Sequence, residues 1–223
     1  VIVNKCCIDG MREMADESVD LIVTDPPYLM NYVSAWRKHS FGKIKGDKSD
    51  FQLISDFFTE SARLLKDGGG IYSFCSWQSV DFFKQEFEKH FKLKNILVWN
   101  KNNHGSGDLA GSYAPKHEFI LFGAKGRHLL NKRIADVVNC QRVDVNKMVH
   151  PTEKPVPLLE IFIQNSSKVG DIILDPFSGC GSTGIACANL QRDFIGFELD
   201  ENYAKIGNKR IKEVLNKTQL RLF

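Results

Sequence analysis

A chain of 223 residues, 43% hydrophobic and 26% charged, is long enough for one soluble domain with a substantial core. No apolar run approaches the length of a bilayer span and no secretory signal pattern opens the chain, so a cytoplasmic protein without membrane contact is expected. The net charge of +3 permits a polyanionic partner without arguing for one. Six cysteines with no C-x-x-C pair, most of them in apolar runs, read as reduced thiols and exclude a disulfide framework or a zinc site.

In chain order, Val1 to Ile8 reads as a strand, Gly10 to Asp16 as a short helix, and Val19 to Thr24 as a buried strand. Residues 29–50 lack periodicity and carry Arg37, Lys38, Lys43, Lys45 and Lys48, the signature of a long, basic, mobile loop. Phe51 to Lys66 has Ile54, Phe57, Phe58 and Leu65 at helical spacing, closed by Gly68-Gly69-Gly70. A strand over Gly70 to Cys75, an amphipathic helix over Trp77 to Phe91 and a strand over Leu93 to Trp99 follow. After a polar, glycine-rich stretch comes a strand at Glu118 to Phe122, then the least regular part of the chain, residues 124–150. Pro155 opens a helix with Leu158, Leu159, Phe162 and Ile163 on one face. Strand Asp171 to Leu174, a glycine loop, helix Thr183 to Leu190, strand Phe194 to Glu198 and a basic helix complete the chain. Strands alternating with helices predict an α/β domain with a largely parallel sheet.

Two stretches carry chemistry. Asp25-Pro26-Pro27-Tyr28 ends an apolar strand. Pro27 pushes Pro26 towards extended backbone, and neither proline has an N–H. Main-chain carbonyls therefore face open space beside the Asp25 carboxylate and the flat face of Tyr28. Two acceptors and a stacking surface suit a planar ring bearing an exocyclic amino group; the competing reading is a proline turn capped by a core tyrosine. The second stretch runs from Asp175 to Gly184, where Gly179, Gly181 and Gly184 form G-x-G-x-x-G between a strand and a helix. Small residues let the backbone approach a ligand, and the helix N-terminus favours an anionic group. Glu198, ending the next strand, is placed to accept from ribose hydroxyls. Asp175 would repel a phosphate but suits an ammonium or sulfonium, which favours S-adenosylmethionine over a dinucleotide. A plain structural glycine turn is the alternative.

With these residues in hand, the chain resembles the β group of amino-methylating DNA methyltransferases, of the N6-adenine type. Asp25-Pro26-Pro27-Tyr28 is similar to the catalytic motif, Asp175 to Gly181 to the cofactor loop, and His150-Pro151-Thr152-Glu153-Lys154-Pro155 to the segment leading into that loop. The catalytic motif comes first and the cofactor loop last, the circularly permuted order of that group. The resemblance implies a single methyltransferase domain over residues 1–223 with a seven-stranded, mostly parallel, Rossmann-like sheet and helices on both faces. It places residues 29–50 and 124–149 as insertions, the second a short target-recognition segment. It implies S-adenosylmethionine as cofactor, with Asp175, Phe177, Gly179, Gly181, Ser182 and Thr183 at its methionine part. Glu198 would hold the ribose, Asp9 the adenine amino group, and Thr152 and Lys154 the carboxylate. DNA is the implied substrate, with Arg37, Lys38, Lys43, Lys45, Arg127, Lys132, Arg133 and Arg142 as candidate contacts. Dimers are common in the resembled group, so a homodimer and a cognate restriction endonuclease are candidate partners in a prokaryotic or phage-encoded setting.

The expected mechanism needs no metal. Asp25 and the Pro26 carbonyl each accept one amino hydrogen of a flipped adenine, and the nitrogen turns its lone pair towards the sulfonium methyl. His117 and His150 are expected to be structural. Methylation of cytosine N4 is the nearest alternative, with Asp25 at the first motif position favouring adenine. A nicotinamide-dependent oxidoreductase and a DNA-binding module without catalysis are the readings from other classes.

Overall fold

The structure, a computed structural model, describes residues 1–28, 50–104, 110–144, 146, 148–150 and 152–219. Among the described residues eight strands form one sheet: β1 (Ile2–Asn4), β2 (Val19–Thr24), β3 (Leu65–Cys75), β4 (Lys92–Asn100), β5 (His117–Ala124), β6 (Val137–Asn139), β7 (Ile172–Asp175) and β8 (Asp193–Glu198). Their spatial order is β1-β8-β7-β2-β3-β5-β4-β6. Only β5 runs against its two neighbours; the other pairings are parallel. The expected seven strands become eight because β6 adds a short edge strand beside β4, pairing Val98 with Val137 and Asn100 with Asn139. Of its three residues only Val138 is buried, too short a pattern for periodicity to announce.

Helices cover both faces, because a largely parallel sheet must bury both. On one side α1 (Cys7–Arg12), α2 (Phe51–Leu64) and α3 (Val80–Glu88) pack Met11, Phe57, Phe58 and Phe87 against Ile22, Ile71 and Leu121 of the sheet. On the other, α4 (Val156–Ser166) and α5 (Ser182–Leu190) pack Leu158, Phe162 and Cys187 against Leu21, Val23, Tyr72 and Phe74. The period-2 pleat of β2 sends Ile22 into one core and Leu21 and Val23 into the other. The last helix, α6 (Glu201–Gln219), joins Ile2 and Ile185 through Ala204 and Ile211.

Two boundaries differ from the sequence expectation. The first strand stops at Asn4, and Cys7, Ile8 and Met11 lie on one helical face in the core. Cys7 and Ile8 extend the apolar run of the strand, so pattern alone merges the two. Likewise β3 begins at Leu65, straight after α2, and contains the glycine triplet expected to separate them. Leu65 pairs with Val19, and the next contacts pair Leu21 with Gly70, so the glycines form a bulge, with Gly68 at φ +80°.

Candidate active site

Strands β2 and β7 are parallel neighbours, Leu21 opposite Ile173 and Ile22 opposite Leu174. Their carboxyl ends therefore bring the Asp25 turn and the Asp175 loop side by side, at the crevice where open α/β sheets bind ligands. The Thr24 hydroxyl donates to Asp175 Oδ1 at 2.6 Å, tying one turn to the other. Asp175 is buried and its carboxylate is fully engaged. Besides Thr24, the Phe177 N–H donates to Oδ1 at 3.1 Å and the Thr183 hydroxyl to Oδ2 at 2.6 Å. Burial raises its pKa to about 6 despite these donors. Asp175 thus shapes the cofactor loop from within.

The loop is pinned from several directions. Ser178 Oγ donates to the Asp175 carbonyl at 2.8 Å, and the Gly179 N–H donates to Glu198 Oε2 at 2.8 Å. The other Glu198 oxygen accepts from the Asp200 N–H at 2.8 Å, so each oxygen keeps lone-pair capacity for a further donor. Burial pushes the Glu198 carboxyl up, opposed by those two N–H groups. Gly179 and Gly181 take positive φ, +49° and +83°. A Cβ on Gly181 would stand 2.9 Å from Gly207 Cα, whereas one on Gly179 would meet His150 only at 3.6 Å. Gly181 is needed for packing and Gly179 for the turn that opens the loop. Ser182 and Thr183, both buried, begin α5. Phe177 packs edge-on against Phe57, ring centroids 5.4 Å apart.

A cluster of charge surrounds Asp25. The Tyr28 hydroxyl donates to its Oδ1 at 2.5 Å, and Lys154 Nζ holds Oδ2. Lys154 also lies 3.3 Å from Glu118 Oε2, while Lys101 holds Glu118 Oε1. The Lys154 side chain is 7% exposed, against 18% for Asp25 and 19% for Glu118, so these charges are screened little by solvent. Burial presses the ammonium down, but Asp25 and Glu118 outweigh it and keep Lys154 above its ordinary pKa. Burial pushes Asp25 up, with Lys154 opposing and Glu118 reinforcing. Glu118 ends below its ordinary value because its two lysines overcome its burial. The half-buried Tyr28 ring has Lys154 Nζ 5.5 Å from its centroid.

The expected residues separate into groups. Asp25, Pro26, Pro27, Tyr28, Asp175, Phe177, Gly179, Gly181, Ser182, Thr183 and Glu198 gather at the carboxyl ends of β2, β7 and β8. Asp9 is exposed on α1, whose Gly10 lies against Phe197 of β8. Thr152 contacts His150, its Oγ1 3.2 Å from Nδ1. Lys154, expected at the cofactor carboxylate, instead belongs to the Asp25 cluster, because Pro155 and the start of α4 turn it across the mouth of β2. Arg127, Lys132 and Arg133 are exposed but follow the carboxyl end of antiparallel β5, where Ala124 faces Gly70, five residues before β3 ends at Cys75. The seven residue-to-residue steps from Glu118 to Lys125 span roughly 23 Å of extended chain, so these three cations sit at the opposite end of the sheet from Asp25. Arg142 follows β6, which runs parallel to β4, and so stands at the site end, half-buried. Arg37, Lys38, Lys43, Lys45 and the rest of 29–49 lie outside the described residues.

The sequence reading missed Thr24, Glu118, Lys101, Glu153 and Arg210. Glu153 pairs with Arg210 of α6 at 2.6 Å, and Arg210 also donates to the Cys180 carbonyl at 2.9 Å, bracing the glycine loop. His150 stands edge-on to Tyr203, centroids 4.4 Å apart, its pKa pushed down to about 4 by burial and then by Lys154. A neutral imidazole packed there fits the expected structural role. A carboxylate at the edge of an apolar strand was the available signal for Glu118; nothing in the sequence pairs it with Lys154.

Comparison with known proteins agrees with this geometry. Residues 19–209 match the profile of the DNA methylase family that covers N6 and N4 enzymes. The chain is 30% identical over 234 residues to the Type II methyltransferase M2.MboI of Moraxella bovis, covering 93% of this chain and 86% of that protein. It is 30% identical over 246 residues to the DNA adenine methyltransferase YhdJ of Escherichia coli (strain K12), covering 94% and 82%. The solved complex of M1.HpyAVI with SAM superimposes with a TM-score of 0.71 at 27% identity, over 94% of this chain and 98% of that one. With both motif loops meeting on a matching sheet, the chain belongs to the N6/N4 family of DNA methylases.

Proposed function

We propose that this enzyme transfers the methyl group of S-adenosylmethionine to the N6 nitrogen of an adenine turned out of DNA, at a defined sequence. The observation that carries the reading is the Thr24–Asp175 hydrogen bond, which fixes the base-binding turn against the glycine loop. The residues fit this donor. Glu198 retains acceptor capacity beside Gly179, and Asp175 and Glu198 supply negative charge for a sulfonium. On the base side, Asp25 and the Pro26 carbonyl accept the two amino hydrogens, freeing the nitrogen lone pair from conjugation. When bound, the donor would supply an electrophilic methyl group to that nitrogen and leave as the thioether, and Asp25 would take the proton the nitrogen sheds. Catalysis is positioning plus a fixed field. Extruding the base costs a few kcal/mol, and stacking on Tyr28 returns about 1–3 kcal/mol.

Cytosine N4 is a second reading, because its exocyclic amine presents the same two hydrogens; Asp25 and the similarity to a named adenine methyltransferase favour adenine. Under the same proposal DNA approaches the carboxyl ends of the strands, where Lys116, Tyr113 and Arg142 stand. The proposal extends to a prokaryotic cytoplasm, host- or phage-encoded, with a second copy of the chain and a cognate restriction endonuclease as candidate partners. Methylation of a mixed DNA library, read by modified-base sequencing, reports base and site together; methyl groups on cytosine alone would overturn the adenine assignment. Asp25→Ala is expected to leave under about a tenth of the transfer rate, with S-adenosylmethionine affinity changed far less.

A further inference from the structure

The Tyr28 hydroxyl has one proton and two carboxylates within reach, Asp25 Oδ1 at 2.5 Å and Glu118 Oε2 at 3.1 Å. It can serve only one at a time. As the structure stands it serves Asp25, whose other oxygen is held by Lys154. An incoming amino group would therefore meet an Oδ1 that already shares its charge with the Tyr28 proton at 2.5 Å, a weaker acceptor than a released one. Glu118 lies outside the Asp25 motif, at the start of β5, and is fixed there: Lys101 holds Oε1 and Lys154 faces Oε2. It is a stationary, negatively charged acceptor reached by a small movement of the same hydroxyl.

We propose that Glu118 is a positioning residue that takes over the Tyr28 hydroxyl when the target base enters, releasing Asp25 Oδ1 to accept the amino hydrogen. This rests on the reading of Asp25 as the amino-group acceptor. Glu118 acts through Tyr28 and does not touch the base. Lys154 makes the exchange feasible by bridging both carboxylates, so the hydroxyl moves between two acceptors anchored by one cation.

The test is a double-mutant cycle of Glu118→Ala and Tyr28→Phe. With the hydroxyl present, loss of Glu118 is expected to lower kcat by about tenfold or more; with the hydroxyl removed, the same loss costs less than about threefold. KM for S-adenosylmethionine should move by less than about twofold throughout. Equal losses in the two backgrounds overturn the hand-over. Removing Glu118 leaves Lys101 and Lys154 each short of a carboxylate, so a second measurement uses the native chain. A structure with S-adenosylhomocysteine and an adenine-containing oligonucleotide should show Tyr28 Oη about 2.7 Å from Glu118 and beyond about 3.5 Å from Asp25. A hydroxyl still on Asp25 in that complex overturns the proposal. Asp25→Ala separates the two levels: if it still transfers methyl groups the underlying reading fails, and if it is inactive while the cycle shows no coupling only the hand-over fails.

Discussion

Lys154 shows how one side chain can change meaning between sequence and structure. Beside a cofactor loop it suggests a carboxylate ligand, yet its ammonium sits between Asp25 and Glu118, two acids that would otherwise repel each other in a poorly hydrated site. The same scale governs the base. Tyr28→Trp keeps a π-face and is expected to retain more than about a tenth of the transfer rate, whereas Tyr28→Ala loses stacking of about 1–3 kcal/mol; single-turnover rates of the two variants decide this. Asp175 makes a pH prediction. Burial raises its pKa to about 6, so the folded protein binds that proton more tightly than the unfolded chain. Between the ordinary carboxylate pKa and about 6, rising pH therefore costs folding stability through this group. Donor binding follows the opposite sign, since the anion holds the loop and favours the sulfonium. Affinity for S-adenosylmethionine should fall as pH drops below about 6, by up to tenfold per pH unit, and Asp175→Asn should flatten that dependence in calorimetric titrations.

At the scale of elements, the glycine loop and α5 form a unit braced on three sides, by Glu198 of β8, Thr24 of β2 and Arg210 of α6. At Gly181 the close neighbour is backbone, which cannot give way. Gly181→Ala must adopt positive φ and press a methyl group to 2.9 Å from Gly207 Cα, and is expected to destabilise the fold by about 1–3 kcal/mol. Thermal unfolding with and without S-adenosylmethionine checks this, with a reduced stabilising shift expected on adding the donor. The long elements were legible because their patterns are regular: β2 matches its predicted bounds and α2 closely follows its own. Short elements such as β6 and α1 were missed or shifted, because three to six residues do not establish a period.

For the whole molecule, polarity of the sheet decides which cations can share the site. The antiparallel course of β5 carries Arg127, Lys132 and Arg133 to the far end, while Lys116 and Arg142 stay with Asp25. Replacing Lys116 or Arg142 by Gln should reduce the slope of log affinity against log salt by about 0.9 each, whereas Arg127→Gln should leave it nearly unchanged; equilibrium DNA binding across a salt series measures both. The sequence by itself determined the α/β class, the two chemical loops and their order, since these follow from local pattern, proline and glycine geometry, and fixed motif spacing. Only the tertiary structure decided that Lys154 and Glu118 converge on Asp25, that Thr24 joins the loops, and which basic residues share the site's end. Those facts depend on strand order and direction, which bring Thr24 to Asp175 across 151 positions and which no local pattern encodes.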